Sequence, residues 1–430
     1  MEAQKGYIIK DMKVFAVLLV FLFLGCADVS ARRPILNLLP ESKEIEIGKA
    51  YVPYAIEEFD GLYPNREVQE YVRSVGMRLV KHTERKVPYE FYVVNSSQIN
   101  AFALPGGPVM ITRGLLLRLN SEGELASVLG HELGHINARH HARFLEKQFG
   151  LNLLLNIGAL LVGDKPYGQA LLQFGQVGAG LLSLKFSRDQ EREADQLGIL
   201  YTYRAGYDPN SIIGVFEMFK SMERGGRPPE WLSTHPLPET RIAEAKGEIQ
   251  KLRPQGAFIT DTQDFQRMKA KLLKTQPSFE EFKKGSKAFS NRDYSLALTH
   301  FQRAVELYPE NYVARAYMAY ILANERRLEE AERQSRLALE TMPDVFLTNY
   351  VYGYVKFFQR ENEESLRYLQ RARQLIPDHA STHYYLGRNY EAMGQVSKAV
   401  EHYRTALELS QGKAEWASDA KERLKRLGGM

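Results

Sequence analysis

Leu129-Gly130-His131-Glu132-Leu133-Gly134-His135-Ile136 is the stretch on which the reading of this chain turns. Just upstream, Ser121-Glu122-Gly123-Glu124 offers a hydroxyl N-cap with a glutamate three residues later, which predicts a helix starting there and running through His131. His131 and His135 are four residues apart, so they share one face of that helix, where two imidazoles can bind one Zn²⁺ at ~2.0 to 2.1 Å. Glu132 stands beside the first of them, placed to accept a proton from an attacking water without itself coordinating. Leu125, Val128, Leu129, Leu133 and Ile136 make the helix amphipathic and partly buried, and unpaired imidazoles there would be costly. Two solvated histidines on a polar helix, the plain alternative, do not explain that composition.

Catalytic zinc usually keeps three protein ligands and one water, so a third ligand has to come from elsewhere. Two candidates compete. His141 lies six residues beyond His135, the metzincin spacing, but that pattern needs a helix-breaking glycine where this chain has Ala138, and Asn137 to Arg143 is expected to continue helically. The second candidate is Ser187-Arg188-Asp189-Gln190-Glu191-Arg192-Glu193-Ala194-Asp195. Glu191 and Asp195 are four apart, so one helix face can offer Glu191 to the metal while Asp195 accepts a hydrogen bond from the far nitrogen of a ligating histidine. Solvated surface is the ordinary fate of acidic helix positions, and Glu191 is preferred here for the company it keeps.

His-Glu-Leu-Gly-His, then Ser187-Arg188-x-x-Glu191-x-Glu193-Ala194-Asp195, then Thr234-His235-Pro236-Leu237-Pro238-Glu239-Thr240-Arg241, together with Asn100-Ala101-Phe102-Ala103-Leu104-Pro105-Gly106-Gly107, resembles the HExxH zinc peptidase family of the CAAX prenyl proteases, and in particular its periplasmic branch with tetratricopeptide repeats. The resemblance implies one Zn²⁺ per chain held by His131, His135 and Glu191, with Glu132 as general base and Asp195 supporting a ligand from behind. It also implies that His235 and Arg241 lie near the site, with roles in stabilising the transition state or gating the open position. The strand Asn100, Ala101, Phe102, Ala103, Leu104 is expected to hold substrate as an added β-strand through main-chain hydrogen bonds.

Outward from the motif, Phe91-Tyr92-Val93-Val94, Ala101 to Leu104 and Val109-Met110-Ile111-Thr112, with a Pro105-Gly106-Gly107 turn, predict a small sheet whose hairpin precedes the motif helix. Helical periodicity dominates the rest of 35–252, which is expected to be the zinc metallopeptidase domain. Phe149 to Val162 and Ala170 to Leu184 are apolar but short of a span and broken by Asn152, Asn156, Asp164, Lys165 and Gln173, so buried helices or a cover over the site are expected rather than membrane contact.

Toward the C-terminus the sequence repeats every 34 residues in four columns: Pro309, Pro343 and Pro377; Ala304, Ala338, Ala372 and Ala406; Ala297, Ala331, Ser365 and Ala399; Gly285, Ala319, Gly353 and Gly387. Small residues at these offsets let paired helices cross closely, and the proline stops the second helix of each pair. This is the tetratricopeptide pattern, with four units over 278–413, a polar capping helix over 414–427, and 253–277, beginning Arg253-Pro254-Gln255-Gly256, as the connecting segment. The expected fold is therefore mainly α with a small β-sheet, an α+β zincin-like peptidase domain followed by an all-α solenoid.

Lys10 and Lys13 precede eleven apolar residues, Val14 to Leu24, too few to span a bilayer that needs ~20. With small residues following, residues 1–31 read as a secretory signal, translation starting cleanly at Met12. Cys26, the only cysteine, stands in Leu22-Phe23-Leu24-Gly25-Cys26 and resembles a bacterial lipobox, the alternative being cleavage after Ala31 in Val29-Ser30-Ala31. The expected setting is the periplasm, with Cys26 lipidated at the outer membrane; an assembly-machinery partner there is implied by the resemblance alone. The charge, 57 Lys and Arg against 52 Asp and Glu, forms no block of one sign that would suggest a nucleic-acid groove, and no nucleic-acid partner is expected. The expected function is an exported zinc metalloendopeptidase acting on protein substrates, with repeats recruiting protein partners. The alternative is a lipid-anchored scaffold or chaperone with latent protease activity, from which the intact Glu132 distinguishes it.

Overall fold

The computed structural model describes residues 38–150, 154, 168–226, 228–236 and 239–429. The signal segment, Cys26 and most of the apolar run 149–162 lie outside the described residues. Two helices open the described chain, α1 (Glu41–Glu58) and α2 (Arg66–Val80). On α2, Val68, Val72, Val75 and Leu79 recur at helical spacing and are buried, while Asn65 caps its start by accepting the Val68 N–H at 3.1 Å.

A three-stranded sheet follows, made of β1 (Glu90–Val94), β2 (Ala101–Ala103) and β3 (Pro108–Thr112) in the order β1-β3-β2. The predicted β2–β3 hairpin is antiparallel, with Phe102 opposite Met110. It turns through Gly106 and Gly107, at φ of 70° and 138°; a Cβ on Gly107 would stand 2.3 Å from the Pro88 carbonyl oxygen, so this turn requires glycine. β1 joins the other side of β3 in parallel, which leaves β2 at one edge of the sheet.

After the short α3 (Arg113–Arg118) comes α4 (Glu122–Asn137), the motif helix. Ser121 Oγ accepts the Glu124 N–H at 3.2 Å, as the sequence predicts; the Glu124 carboxylate reaches back to Asn120 N at 2.6 Å. The expectation that the helix continues through Arg143 is corrected. Arg139 adopts φ 55°, breaking the chain into α4 and α5 (His140–Phe149). Its guanidinium holds the kink by donating to Glu44 Oε2 of α1 at 2.8 Å and to the carbonyl of Leu39, just before α1, at 2.5 Å, contacts that outweigh local helix propensity.

α6 (Gly168–Leu182) covers most of the second apolar segment. Its Leu171, Phe174 and Val177 are buried, with Phe174 stacked on Tyr51 of α1 at 4.5 Å. α7 (Arg188–Arg204), α8 (Ser211–Arg224), the single turn α9 (Trp231–Thr234) and α10 (Glu239–Leu252) complete the part around the motif. None of the described helices is long and apolar enough to cross a membrane.

The repeats form antiparallel pairs: the end of α11 (Gln263–Ser290) with α12 (Tyr294–Leu307), α13 (Tyr312–Asn324) with α14 (Leu328–Thr341), α15 (Phe346–Phe358) with α16 (Asn362–Leu375), and α17 (Ala380–Ala392) with α18 (Val396–Leu409). The polar α19 (Ala417–Arg426) follows. The small-residue column sits where paired helices meet: a Cβ on Gly285 would clash with the Phe301 ring, one on Gly353 with Leu369, one on Gly387 with Tyr403.

The expected connecting segment over 253–277 is also corrected. Residues from Gln263 belong to α11, a 28-residue helix that runs through Pro277 into the first repeat. Its Phe265, Met268 and Leu272 complete the hydrophobic core built by α2, α4 and α8. The array is joined to the part around the motif helix again through α1: Ile56 belongs to the repeat core, Glu57 accepts the Leu347 N–H at 3.2 Å, and Tyr54 hydrogen-bonds Asp378. Gly61, at φ 87°, leaves room for the Tyr312 hydroxyl, which a Cβ would meet at 2.2 Å. Leu39 to Met430 accordingly form one compact unit.

Candidate metal centre

Two helices carry the centre, and glycine sets their distance. Where α4 crosses α7, a Cβ on Gly134 would stand 2.5 Å from the Ala194 carbonyl oxygen, and one on Gly198 2.8 Å from the His131 nitrogen. Backbone contact at this crossing brings Glu191 of α7 over the histidine face of α4. The Ser187–Gln190 capping box fixes where α7 begins, and so the height of Glu191 along it.

His131, His135, Glu191 and His235 each offer a ligand atom, all within 4.8 Å of one another. His131 Nε2 lies 3.0 Å from His135 Nε2 and 3.7 Å from Glu191 Oε2, and His135 Nε2 lies 3.3 Å from Glu191 Oε1. Those separations bracket the roughly 3.3 Å edge of a tetrahedron with ~2.05 Å bonds, the shape zinc prefers. No member of the group, nor Glu132, is more than 2% exposed. The buried polar atoms also ask for a cation. No hydrogen bond of good geometry reaches either oxygen of Glu191, though Arg241 Nη1 stands 2.6 Å from Oε2, and His235 Nε2 has no partner either. Burial pushes the Glu191 carboxyl up to about 8, against the opposing pull of Arg241, and the same burial holds His135 and His235 neutral with lone pairs free for a metal. The residues fit a zinc ion.

Around the donors, each orientation has a cause. His131 Nδ1 donates to Asp195 Oδ1 at 2.8 Å, leaving Nε2 for the metal. Arg241 of α10 grips Asp195 at both oxygens, Nε to Oδ2 at 2.6 Å and Nη2 to Oδ1 at 2.9 Å, and lies between the Phe216 and Trp231 rings. Burial alone would raise the Asp195 carboxyl; Arg241 and His131 overcome it and hold it at about 2. A third bond from Arg241, to the Pro236 carbonyl, ties α10 to the segment bearing His235. His235 stacks on Trp231 at 4.6 Å and turns Nδ1 toward the Trp231 carbonyl and the Thr234 hydroxyl, so that Nε2 faces the donor group.

Both carboxylate oxygens of Glu132 are buried and, among the described residues, meet no donor in good hydrogen-bond geometry, although the Trp231 side chain and the Ala103 backbone lie close enough to lower its pKa; His235 Nε2 is 3.7 Å from Oε1. Burial, above all, raises it to about 7, His131 lowering it and Glu191 raising it further. Of the expected substrate strand, Ala101 to Ala103 form the edge strand β2, Asn100 and Leu104 are buried at its ends, and Phe102 packs on Phe59 at 4.8 Å. His141, weighed as a ligand, is buried with its ring 6.3 Å from that of His135 and stays outside the donor group.

Sequence reasoning missed three neighbours of the centre. Phe186 stacks on His135 at 3.8 Å, Trp231 backs His235, and His140 touches His135. Trp231 stands four residues before His235, a one-turn spacing that was there to be read.

The profile of Peptidase family M48 matches residues 64–249, and two tetratricopeptide repeat profiles match 282–341 and 344–412. Among curated proteins, the chain is 36% identical over 247 residues to the beta-barrel assembly-enhancing protease of Escherichia coli (strain K12), covering 55% of this chain and 50% of that protein. It is 31% identical over 265 residues to the protein of that name from Yersinia pestis, covering 57% and 54%, and 36% identical over 156 residues to mitochondrial metalloendopeptidase OMA1 of Arabidopsis thaliana, covering 36% and 30%. The chain thus spans about half the length of the first of these relatives. The CAAX prenyl protease likeness rests on the motifs alone, while zinc is the ion that M48 metallopeptidases use. Residues 64–249 are a Peptidase family M48 domain, followed by tetratricopeptide repeats, in a chain homologous to the beta-barrel assembly-enhancing proteases.

Proposed function

We propose that the protein is an exported zinc metalloendopeptidase in which His131, His135 and Glu191 hold the metal and Glu132 is the general base. The observation that carries this reading is a buried set of imidazole and carboxylate donors with a further buried carboxylate, Glu132, beside it. Bound there, zinc supplies Lewis-acid polarisation of the scissile carbonyl and lowers the pKa of water. The chain's part is to take a proton from the attacking water at a Glu132 oxygen and return it to the leaving amine, with Asp195 and Arg241 keeping His131 in the ligating tautomer. Zinc analysis together with casein cleavage or self-cleavage tests the proposal. Wild-type protein that binds no zinc would overturn it, and zinc-loaded protein that cleaves nothing would favour the scaffold or chaperone reading.

The free edge of β2 supports substrate binding by strand addition, which uses main-chain groups and is indifferent to side chains, as cleavage of misfolded or stalled envelope proteins requires. Phe102 pairs with Met110 inside the β2–β3 ladder, whereas Ala101 turns its N–H to the outer edge, so Ala101→Pro removes an edge donor. It should impair peptide cleavage with zinc content unchanged; unaltered kcat/KM would exclude this edge.

His235, with Nε2 turned into the donor group, is read as the fourth donor of a closed resting site. His235→Ala should then raise cleavage of a short peptide several-fold at unchanged zinc content. A fall would assign His235 to stabilising the reacting carbonyl instead.

The repeat array is proposed to recruit protein partners, outer-membrane assembly machinery among them, and Cys26 to carry the lipid that anchors the protein at the outer membrane from the periplasmic side. Cys26→Ala should release the protein from the membrane fraction; an unchanged distribution would reject the anchor.

A further inference from the structure

Each metal-facing histidine needs something behind it to fix its tautomer, and Asp195 does this for His131. His135 has no carboxylate in that place. Its Nε2 belongs to the donor group, so its proton sits on Nδ1, and Nδ1 lies 2.9 Å from His140 Nδ1. Two ring nitrogens at that distance share one hydrogen, donated here by His135. His140 Nδ1 is then the acceptor and its own proton is on Nε2, which lies 3.3 Å from Glu193 Oε2. Arg143 stands 3.8 Å from the same carboxylate oxygen.

We propose that His140 is a positioning residue for the metal centre. In series with Glu193, it holds His135 in the ligating tautomer and increases its basicity, a carboxylate–imidazole–imidazole chain that ends at the metal. The fold builds this chain deliberately. The left-handed Arg139 ends α4 and restarts the helix at His140, which brings the His140 ring against the edge of His135 while Phe186 stacks on the His135 face. Helix α7 then serves both histidines, with Glu191 as ligand, Asp195 behind His131 and Glu193 behind His140.

This inference rests on the zinc reading, and its test separates the two. Isotope-labelled imidazole NMR of the zinc-loaded wild-type protein, its metal content measured separately, should show His135 protonated on Nδ1 and His140 protonated on Nε2. A His140 protonated on Nδ1 in protein that holds zinc would overturn the chain, while protein that takes up no zinc would overturn the zinc reading. In chelator competition, His140→Phe, which keeps a ring but has no acceptor, should weaken zinc binding about 10- to 100-fold. His140→Asn, whose Oδ1 can stand where Nδ1 does, should recover most of that loss, at an apo-protein melting temperature like the wild type's. Equal losses in both variants would reduce His140 to packing, and zinc binding by His140→Phe within about threefold of wild type would end the proposal.

Discussion

Glu132→Gln should lower peptide cleavage by about 10²- to 10⁴-fold with zinc content unchanged, the loss typical of removing a positioned general base. The substitution keeps the shape of a side chain that is completely buried, so the fold has little to adjust. What it removes is basicity, because an amide oxygen cannot hold the proton that the carboxylate takes and returns. Zinc retention separates this from damage to the centre: Glu132 is outside the donor group, whereas His131, His135 and Glu191 are in it. Cleavage within about tenfold of wild type would remove Glu132 from the chemistry.

Arg241→Met should have the largest effect on stability. Asp195 is buried and bonded by Arg241 at both oxygens, and the guanidinium also stands 2.6 Å from Glu191. Removing one partner of a buried ion pair costs about 3–5 kcal/mol, because the charge left behind has no water to turn to. Methionine fills the space between Phe216 and Trp231 without supplying a proton donor. Thermal unfolding of the metal-free protein should therefore show a clearly lower midpoint. Added zinc should recover part of the loss, since the ion neutralises Glu191. A midpoint equal to wild type would mean that the Arg241 network contributes nothing net to the fold.

Much of the centre was legible in the sequence because its logic is local. Four-residue spacing puts His131 and His135 on one face of any helix, and does the same for Glu191 and Asp195. Ser121 announces the start of the motif helix by side-chain chemistry that needs no tertiary partner. The repeats were legible for a similar reason: each pair of helices meets only its neighbours, so a 34-residue period is written into the chain as small residues and prolines.

His140 was not legible, since Asn137 to Arg143 carries ordinary helix propensity and would by itself extend α4. The kink at Arg139 exists because Glu44 and the Leu39 carbonyl, about a hundred residues away in sequence, bind its guanidinium there. The connecting segment failed in the same way, for Phe265, Met268 and Leu272 read as scattered apolar residues until the core of the peptidase part is there to receive them.

By itself, then, the sequence determined that His131 and His135 share one helix face, that Glu191 and Asp195 share another, and that the repeats follow, all properties of short-range periodicity. Tertiary structure alone decided how these converge. Backbone contact at Gly134 and Gly198 lowers Glu191 onto the histidines, Arg241 and Trp231 turn His235 inward, and the α1 contacts that break the helix at Arg139 bring His140 behind His135. The physical reason is that a side chain's direction within one helix follows from that helix, whereas its distance to another is set by packing that no local stretch contains.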